Sequence, residues 1–316
     1  MHLFHTLLQP VLLYGCEMWG PFITGFSNQN INNFAFENKM LNYNTFPGEK
    51  LLTKYLKFTL GVHSKTSNTA VFMELAQYPL YIQLIKLVFK YWLSPDTINK
   101  PLLSEALKED KLIDEKGNKS WFSFIKEILK ELNMEQFLNN SNHLNDNLAT
   151  SLIHDIVSQL KTRFRRKLSS DLNQNDKKLR TYKVFKYIFK TEPYLNCVTN
   201  LKHRNSLSRF RTSAHKLEIE VGRYKNIVKE ERYCKCCSNN CHIEDEIHFL
   251  LKCPIYNSLR SPFITSLKSK FVNLDSLSDE NVFTWLLSSE DKFTSCLLAK
   301  FIHEAFTLRE SHIYSS

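Results

Sequence analysis

Five of the eight cysteines and two of the histidines in this 316-residue chain fall within residues 233–254, in the segment YCKCCSNNCHIEDEIHFLLKCP. Two residues separate Cys234 from Cys237, and four separate His248 from Cys253. Spacing of this kind constrains the fold, because a Zn²⁺ ion takes four N or S ligands and draws two short half-sites together. The sequence therefore predicts a zinc site formed by these four side chains.

The downstream half-site is predicted to be a short helix. The segment IEDEIHFLLKCP begins with acidic residues, which suit the positive N-terminal end of a helix, and Pro254 prevents its continuation. On a continuous helix His248 and Cys253 would point about 140° apart, so the site requires a bend at Cys253. Glu244 lies four residues before His248, and we expect its carboxylate to orient the imidazole.

Other interpretations of this window stay open from the sequence. Cys236, Cys241 or His242 can replace one of the four primary ligands. The thiols can also lie unligated on a loop beside a core histidine, or form a redox pair, although no βαβ pattern surrounds the Cys-x-x-Cys motif. Four protein ligands close the coordination shell, so the zinc is expected to be structural and not catalytic.

The rest of the sequence predicts a mainly α fold, with the zinc-knuckle-like segment as an insertion near the C-terminus. Seven glycines and nine prolines are few for this length, and apolar residues recur at helical spacing. Helices are expected within 51–93, with Gly61 ending one, Asn68 capping the next and Pro79 breaking the pattern; over 120–138, capped by Ser120; along 148–168; and over 177–190.

Five segments are expected: helical residues 1–93, a linker and helical connector 94–147, a basic helical region 148–230, the knuckle 231–256 and a C-terminal helical segment 257–316. Residues 94–101 and 139–147 are the expected linker and polar loop. No apolar run reaches the roughly 18 residues that span a bilayer, and the N-terminal segment lacks the basic region of a signal peptide. We therefore expect a nuclear or cytoplasmic protein that is not secreted and has no membrane partner.

Positive charge is concentrated in one part of the chain. The net charge is +10, yet residues 151–230 hold 19 Lys and Arg against 7 Asp and Glu, which leaves the remainder slightly negative. Such a local excess favours an anionic partner, RNA or DNA, over general basicity of the protein, and no small-molecule substrate is expected. The candidate phosphate contacts are Arg163, Arg165, Arg166, Lys177, Lys178, Arg180, Lys183, Lys186, Arg209, Arg211, Lys216 and Arg223. Phe210 and His215 lie among these cations and can stack on bases or belong to the core.

Four blocks of the sequence resemble the C-terminal part of non-LTR (LINE-type) retrotransposon reverse transcriptases. They are LLQPVLLYGCEMWG (7–20), YLKFTLGVHSKTSNTAVFMELAQYPLYI (55–82), LSRFRTSAHKLEIEVGRYKNIVKEERYCKCC (207–237) and EDEIHFLLKCPIY (244–256). The resemblance implies a thumb-like remnant at 1–93 and zinc ligands at Cys234, Cys237, His248 and Cys253. Met73, Ala76 and Gln77 depart from it, since Gly, Gly and Arg are expected there, and residues 21–50 are longer and more polar than expected.

The resemblance also implies what the chain would lack. The polymerase of this family holds two metal ions with an aspartate pair, and no Asp-Asp pair occurs in the sequence. We therefore expect no catalytic residues, and a truncated copy whose chain begins inside the thumb and which grips template RNA or target DNA. A zinc-stabilised protein-interaction module, an enzyme and a relic without function are the alternatives.

Overall fold

The computed structural model describes residues 1–22, 47–94, 100–140, 146–174, 178–237, 242–271 and 276–314. Within these ranges the chain is mainly helical, as predicted, and its extended pairing is limited to one antiparallel bridge between Tyr233 and Ile243. The α-helices are α1 (Gln9–Leu12), α2 (Cys16–Pro21), α3 (Pro47–Leu60), α4 (Asn68–Leu75), α5 (Leu80–Trp92), α6 (Pro101–Glu115), α7 (Trp121–Glu131), α8 (Phe137–Asn140), α9 (Asp146–Gln174), α10 (Tyr182–Phe185), α11 (Tyr194–Cys197), α12 (Leu201–Arg211), α13 (Glu218–Tyr224), α14 (Asn257–Lys268), α15 (Asp279–Ser288) and α16 (Lys292–Tyr314). Short π-helical turns cover Phe4–Leu8 and His248–Lys252, and 3₁₀ turns cover Lys229–Glu231 and Pro254–Tyr256.

The described chain divides into two compact units. Unit 1 comprises Met1–Lys54 and Tyr78–Lys167, and unit 2 comprises Tyr55–Gln77 and Leu168–Ser316. Helices α3 and α9 each contribute residues to both units. The five-segment division inferred from the sequence has different boundaries from these units and stays a prediction.

Unit 1 is built around apolar faces of α5, α7 and α9. The apolar stripe predicted on α9 is buried from Leu152 to Phe164 in steps of four residues, whereas Leu148 at its start is exposed. Ser120 caps α7 as predicted, because its hydroxyl accepts from the backbone N–H of Ser123 at 3.3 Å. Helix α7 ends at Glu131, well before the predicted residue 138.

Unit 2 is built around the packing of α12 against the long C-terminal helix α16. Phe210 of α12 is 1% exposed and meets Phe249, Phe283 and Phe306, with ring centroids 5.6 to 6.4 Å apart. Phe210 and its buried neighbour His215 are therefore core residues, so they are not a surface on which bases can stack.

Several predicted helix boundaries lie where the sequence places them. Gly61 follows α3 with φ +63°, the left-handed conformation of a C-terminal glycine. Pro79 separates α4 from α5. Asn68 is the first residue of α4 and not its cap, which is Ser67. Residues 95–99 and 141–145, in the expected linker and polar loop, lie outside the described residues.

The predicted helix over residues 177–190 is wrong. Among the described residues 178–190, only Tyr182–Phe185 is helical, and Lys186 leaves the helical region with φ −122° and ψ 104°. Packing explains the departure, since Tyr182 and Phe185 are buried while the Lys186 ammonium turns inward to meet the carboxylate of Glu192. Among the described helices, none has the length and apolar character needed to cross a membrane.

Candidate metal centre

A short hairpin holds the first half of the cysteine-rich window. The backbone N–H of Cys234 donates to the carbonyl of His242 at 2.8 Å, and that of Glu244 donates to the carbonyl of Arg232 at 2.9 Å. These bonds flank the Tyr233–Ile243 bridge. They bring the Cys-x-x-Cys turn next to the segment that leads into His248.

The second half of the cysteine-rich window forms the predicted short helix, but as a π-helical turn. Residues His248–Lys252 form a π-helical turn, and the N–H of Cys253 donates to the carbonyl of His248 at 2.8 Å. Cys253 then leaves the helical region with φ −57° and ψ 123°, just before Pro254. This is the predicted bend, and it turns the Cys253 thiol back toward His248.

All four predicted ligands converge. Their ligand atoms lie within 4.8 Å of one another, and Cys234, His248 and Cys253 are buried while Cys237 is half-buried. The Sγ of Cys253 is 3.9 Å from that of Cys234 and 3.7 Å from that of Cys237, whose Sγ is 3.4 Å from the Nε2 of His248. This group can hold a metal ion.

The sequence offers three alternative metal ligands, Cys236, Cys241 and His242. The structure describes the positions of Cys236 and His242. Cys236 is half-buried beside Cys234 and Glu244, and these three also form a set that can hold a metal. The Tyr256 hydroxyl donates to the Cys236 sulfur at 3.9 Å. His242 is exposed, with its ring centroid 5.4 Å from that of His248. Cys241 lies outside the described residues.

Glu244 has a different role from the predicted one. Its carboxylate accepts two hydrogen bonds of 2.7 Å from the guanidinium of Arg309 and one of 2.7 Å from the N–H of Glu218. The carboxylate of Asp245 accepts from the backbone N–H of His248 at 2.8 Å. The prediction that Glu244 orients the imidazole is therefore wrong: Glu244 joins the knuckle to α13 and α16.

A second ion pair ties the knuckle to the rest of unit 2. The carboxylate of Glu246 lies 3.0 Å from the imidazole of His215 and 2.6 Å from the guanidinium of Arg180. Burial would raise the pKa of Glu246, but the bond to His215 and the charges of His215 and Arg180 lower it to about 2. Glu246 is therefore ionised and paired at neutral pH.

Arg260 lies on the other side of the candidate ligands. Its guanidinium donates to the carbonyls of Leu250 at 2.9 Å and Cys253 at 2.8 Å, which closes the end of the π-helical turn. Neither Arg260 nor Arg309 stands in a sequence motif that predicts this role. The one signal available was the acidic run EDE in the knuckle, which needs basic partners once it is buried.

Burial acts on the protonation of the candidate ligands. It lowers the pKa of His248, which favours the neutral imidazole that a metal requires. The pKa of the Cys234 thiol is raised to about 11: the bond to Cys236 lowers it, but the bond to Cys253 and burial outweigh that effect. Metal binding at this group must therefore displace protons, so it should weaken as the pH falls.

The basic candidates occupy different settings. Arg165, Arg166, Arg209 and Lys216 are exposed, while Arg163, Lys178, Arg180, Lys183 and Arg223 are half-buried and Lys186 and Arg211 are buried. Lys177 lies outside the described residues. Arg163 pairs with Glu131, Arg180 and Arg223 share Glu220, and Lys178 donates to the carbonyl of Lys65.

Arg211 is the most enclosed of these cations. It is 3% exposed, bonded to Glu74 at 2.7 Å and to Glu192 at 2.6 Å, and it stacks on the rings of Phe185 and Tyr194. Removing either carboxylate would leave the buried guanidinium with one counter-charge instead of two. The pairings of Arg211 and Lys186 therefore stabilise unit 2 from inside.

The chain matches no known family model, and neither the curated proteins nor the solved structures contain a match to it.

Proposed function

We propose that this chain is the non-catalytic nucleic-acid-binding tail of a non-LTR (LINE-type) retrotransposon reverse transcriptase. In this proposal a structural zinc ion closes the knuckle, and exposed cations on the helices grip template RNA or target DNA. The observation that carries the proposal is the convergence of Cys234, Cys237, His248 and Cys253, because these are the four positions to which the resemblance assigns zinc ligands.

The spacing of the ligand atoms supports zinc as the metal. With bonds of about 2.3 Å to sulfur and 2.0 Å to nitrogen, a tetrahedral Zn²⁺ site separates two sulfurs by about 3.8 Å and a sulfur from a nitrogen by about 3.5 Å. In the structure the Sγ of Cys253 lies 3.9 Å from that of Cys234 and 3.7 Å from that of Cys237, and the Sγ of Cys237 lies 3.4 Å from the Nε2 of His248. A Cys₃His site carries one net negative charge, which the buried guanidinium of Arg260 partly offsets.

The backbone at position 76 also supports the resemblance. Glycine is expected there, and Ala76 adopts φ 47° and ψ 43° at the C-terminus of α4, in the left-handed region that glycine favours. The chain therefore keeps the conformation that the expected residue suits, although the residue itself differs.

The set of proposed phosphate contacts is smaller than the charge excess suggests. We retain the exposed candidates Arg165 and Arg166 in unit 1 and Arg209 and Lys216 in unit 2. Buried cations already paired with carboxylates gain little from a phosphate, because breaking their ion pairs costs free energy. Lys186 and Arg211 are therefore left out of this set.

A salt titration of fluorescence anisotropy with labelled single-stranded RNA and DNA tests the proposal. Affinity for single strands should fall with salt at a log–log slope of about −0.7 per phosphate contact. The Arg165→Gln/Arg166→Gln variant should reduce the slope magnitude by about 1.4 if both side chains contact phosphates. It should weaken binding to different sequences about equally, because phosphate contacts do not read bases.

The matched control is Lys50→Gln/Lys54→Gln, which removes two exposed charges from a helix of the same unit. It should leave the slope near that of the wild type, since these residues lie outside the segment 151–230 that holds the excess positive charge. Equal slopes in the two variants, or binding that does not depend on salt, would reject the proposed nucleic-acid contacts.

A protein-interaction module is the second candidate function, and one observation favours it. Leu3, Leu7, Val11, Tyr14, Met18 and Phe22 recur every three or four residues and are each 55 to 86% exposed. These residues lie on or directly beside a π-helical turn, α1, α2 and the turn between the two helices, and an exposed apolar patch of this kind is typical of a protein-interaction surface. Sedimentation of Leu7→Glu/Val11→Glu against the wild type tests for self-association through this patch, and an unchanged, monomeric state in both would reject it.

A further inference from the structure

We infer that a pocket in unit 2 takes one nucleotide of a bound single strand, with the phosphate at Arg209 and Lys216 and the base against aromatic rings. This inference rests on the proposed nucleic-acid-binding function and gives it a specific site. The pocket has a volume of about 520 Å³, within the range of roughly 300–1,000 Å³ that is common for small-ligand sites.

Three elements of unit 2 form the walls. The turn after α3 contributes Gly61 to His63, α12 contributes Ser206 and Arg209, and α16 contributes residues from His303 to Glu310. The segment 214–216 completes the lining. Gly61 allows the close approach of α12, because a Cβ added there would lie 2.4 Å from the side chain of Asn205.

Arg209 and Lys216 supply positive charge at the pocket. The Nε of Arg209 donates to the carbonyl of Gly61 at 2.6 Å, which holds the side chain in place. Within the described residues its two Nη groups have no hydrogen-bonding partner, so they remain available for a phosphate. Lys216 is exposed and lies 3.6 Å from Glu310, the one carboxylate in the lining. Arg209 and Lys216 border the same cavity, so a phosphate bound there can accept charge-assisted hydrogen bonds from these cations.

The rings in the lining distinguish a nucleotide from a simple anion. Phe306, His63 and His303 all border the cavity. Flat rings beside cations are the arrangement on which unpaired bases stack, largely independent of sequence. The hydroxyl of Ser206 lies 3.0 Å from the Nδ1 of His303, and it adds a polar group near those rings.

The candidate metal centre supports the back of this pocket. His215 and Arg309 belong to the lining, and they bond to Glu246 and Glu244 of the knuckle. The charge of Arg309 is thereby neutralised by Glu244, so Arg309 lines the pocket without binding the phosphate. Arg209 and Lys216 are the cations that would contact the ligand. The knuckle thus orders the lining, so metal loss should weaken nucleotide binding without removing a direct contact.

Calorimetric titration of the metal-loaded full chain with adenosine 5′-monophosphate tests the inference, with adenosine and inorganic phosphate as comparison probes. The monophosphate should bind at least about tenfold more tightly than either probe, since each probe makes half of the contacts. Arg209→Gln/Lys216→Gln should weaken its binding by about tenfold or more, because charge-assisted hydrogen bonds are lost. Lys50→Gln/Lys54→Gln, with the same loss of charge, should not.

A second variant keeps the test decisive if the first one folds poorly. Thr307 is exposed in the lining, and Thr307→Trp places a large ring in the cavity while leaving both cations unchanged. It should abolish monophosphate binding with unchanged circular dichroism. Binding that survives both variants, or phosphate alone binding as tightly as the monophosphate, would overturn the inference. Salt-dependent RNA binding in the same variants reports on the proposed function separately.

Discussion

Arg309 donates two hydrogen bonds of 2.7 Å to the carboxylate of Glu244, whose Oε1 also lies 3.9 Å from the sulfur of Cys234. The two residues are 65 positions apart, and their side chains are 6% and 1% exposed. The last helix of the chain is therefore bonded to the carboxylate directly behind the candidate metal ligands. Loss of this pair should affect both folding and metal binding.

Arg309→Met should destabilise the protein by about 3 kcal/mol, because it leaves the buried carboxylate of Glu244 without its counter-charge. Urea unfolding of the metal-loaded protein measures the change. Adding Glu244→Gln to this variant should restore part of the loss, since the uncompensated charge is then removed.

Lys108→Met is the comparison for Arg309→Met. Lys108 and Glu105 lie 2.7 Å apart, but their side chains are 64% and 65% exposed, so the change should be below about 1 kcal/mol. Equal costs at the two sites would show that the pair of Arg309 and Glu244 contributes no more than a surface ion pair.

The stability of the protein should depend on pH because of Glu49 in unit 1. Its Oε1 accepts from the N–H of Tyr81 at 2.7 Å, while its Oε2 is buried and has no partner among the described residues. Burial raises its pKa from 4.5 to about 8, although backbone N–H groups oppose the shift. The folded state therefore holds this proton more tightly, so stability is lost as the pH rises from 4.5 to 8.

Glu49→Gln should remove this loss, because the amide keeps an acceptor for Tyr81 and does not ionise. The stability of the variant relative to the wild type should rise between pH 6 and pH 8, by at most about 1.4 kcal/mol per pH unit. Urea unfolding at both values is the measurement, with Glu135→Gln at an exposed position as the control. A difference that stays constant with pH would mean that Glu49 has an ordinary pKa.

Two helices end in unit 2 with a residue in the left-handed backbone conformation. The residue is glycine at one end and alanine at the other. Gly61 and Ala76 follow α3 and α4 with φ +63° and +47°. Ala76→Gly should stabilise the protein by about 1 kcal/mol, because left-handed backbone penalises a Cβ by more than the extra unfolded entropy of glycine costs. Gly61→Ala should destabilise it by a similar amount or more, since the new methyl also meets Asn205. Thermal unfolding of both variants tests the pair, and shifts of the same sign would contradict this account.

Helices with a buried apolar face could be predicted from the sequence. Burial imposes a period of about four residues, and on α9 it places Leu152, Ile156, Leu160 and Phe164 in the core. The conformation of the region after α9 could not be predicted from this periodicity. Its basic and aromatic residues have helical spacing, but the buried bond between Lys186 and Glu192 and the packing of Phe185 decide its conformation.

The convergence of Cys234, Cys237, His248 and Cys253 could be predicted because their spacing is local. They are four of the seven Cys and His residues in 234–253, and the Cys-x-x-Cys turn and the proline after Cys253 favour these four. Their supporting partners were not readable. Glu244 meets Arg309 and Glu246 meets Arg180, each more than 60 positions away, and no spacing rule reports such pairs.

The basic surface was overestimated for a related reason. Counting charges along the chain treats every cation as available, whereas carboxylates distant in sequence neutralise several of them. Glu74 of α4 meets Arg211, 137 positions later, and Glu131 of α7 meets Arg163. Part of the positive charge in residues 151–230 therefore forms ion pairs that stabilise the fold. Only some of these Lys and Arg side chains are exposed and available to a phosphate.

Metal content tests most directly the claim that a closed Cys₃His zinc site organises this protein. Mass-spectrometric elemental analysis should find about one zinc per wild-type chain and almost none in Cys234→Ser/Cys237→Ser. Cys197→Ser/Cys296→Ser, which removes two half-buried thiols outside the knuckle, should retain the metal. Chelation of the wild type should then expose residues around 231–256 to proteolysis. Stoichiometric zinc that persists in the Cys234→Ser/Cys237→Ser variant would contradict the account.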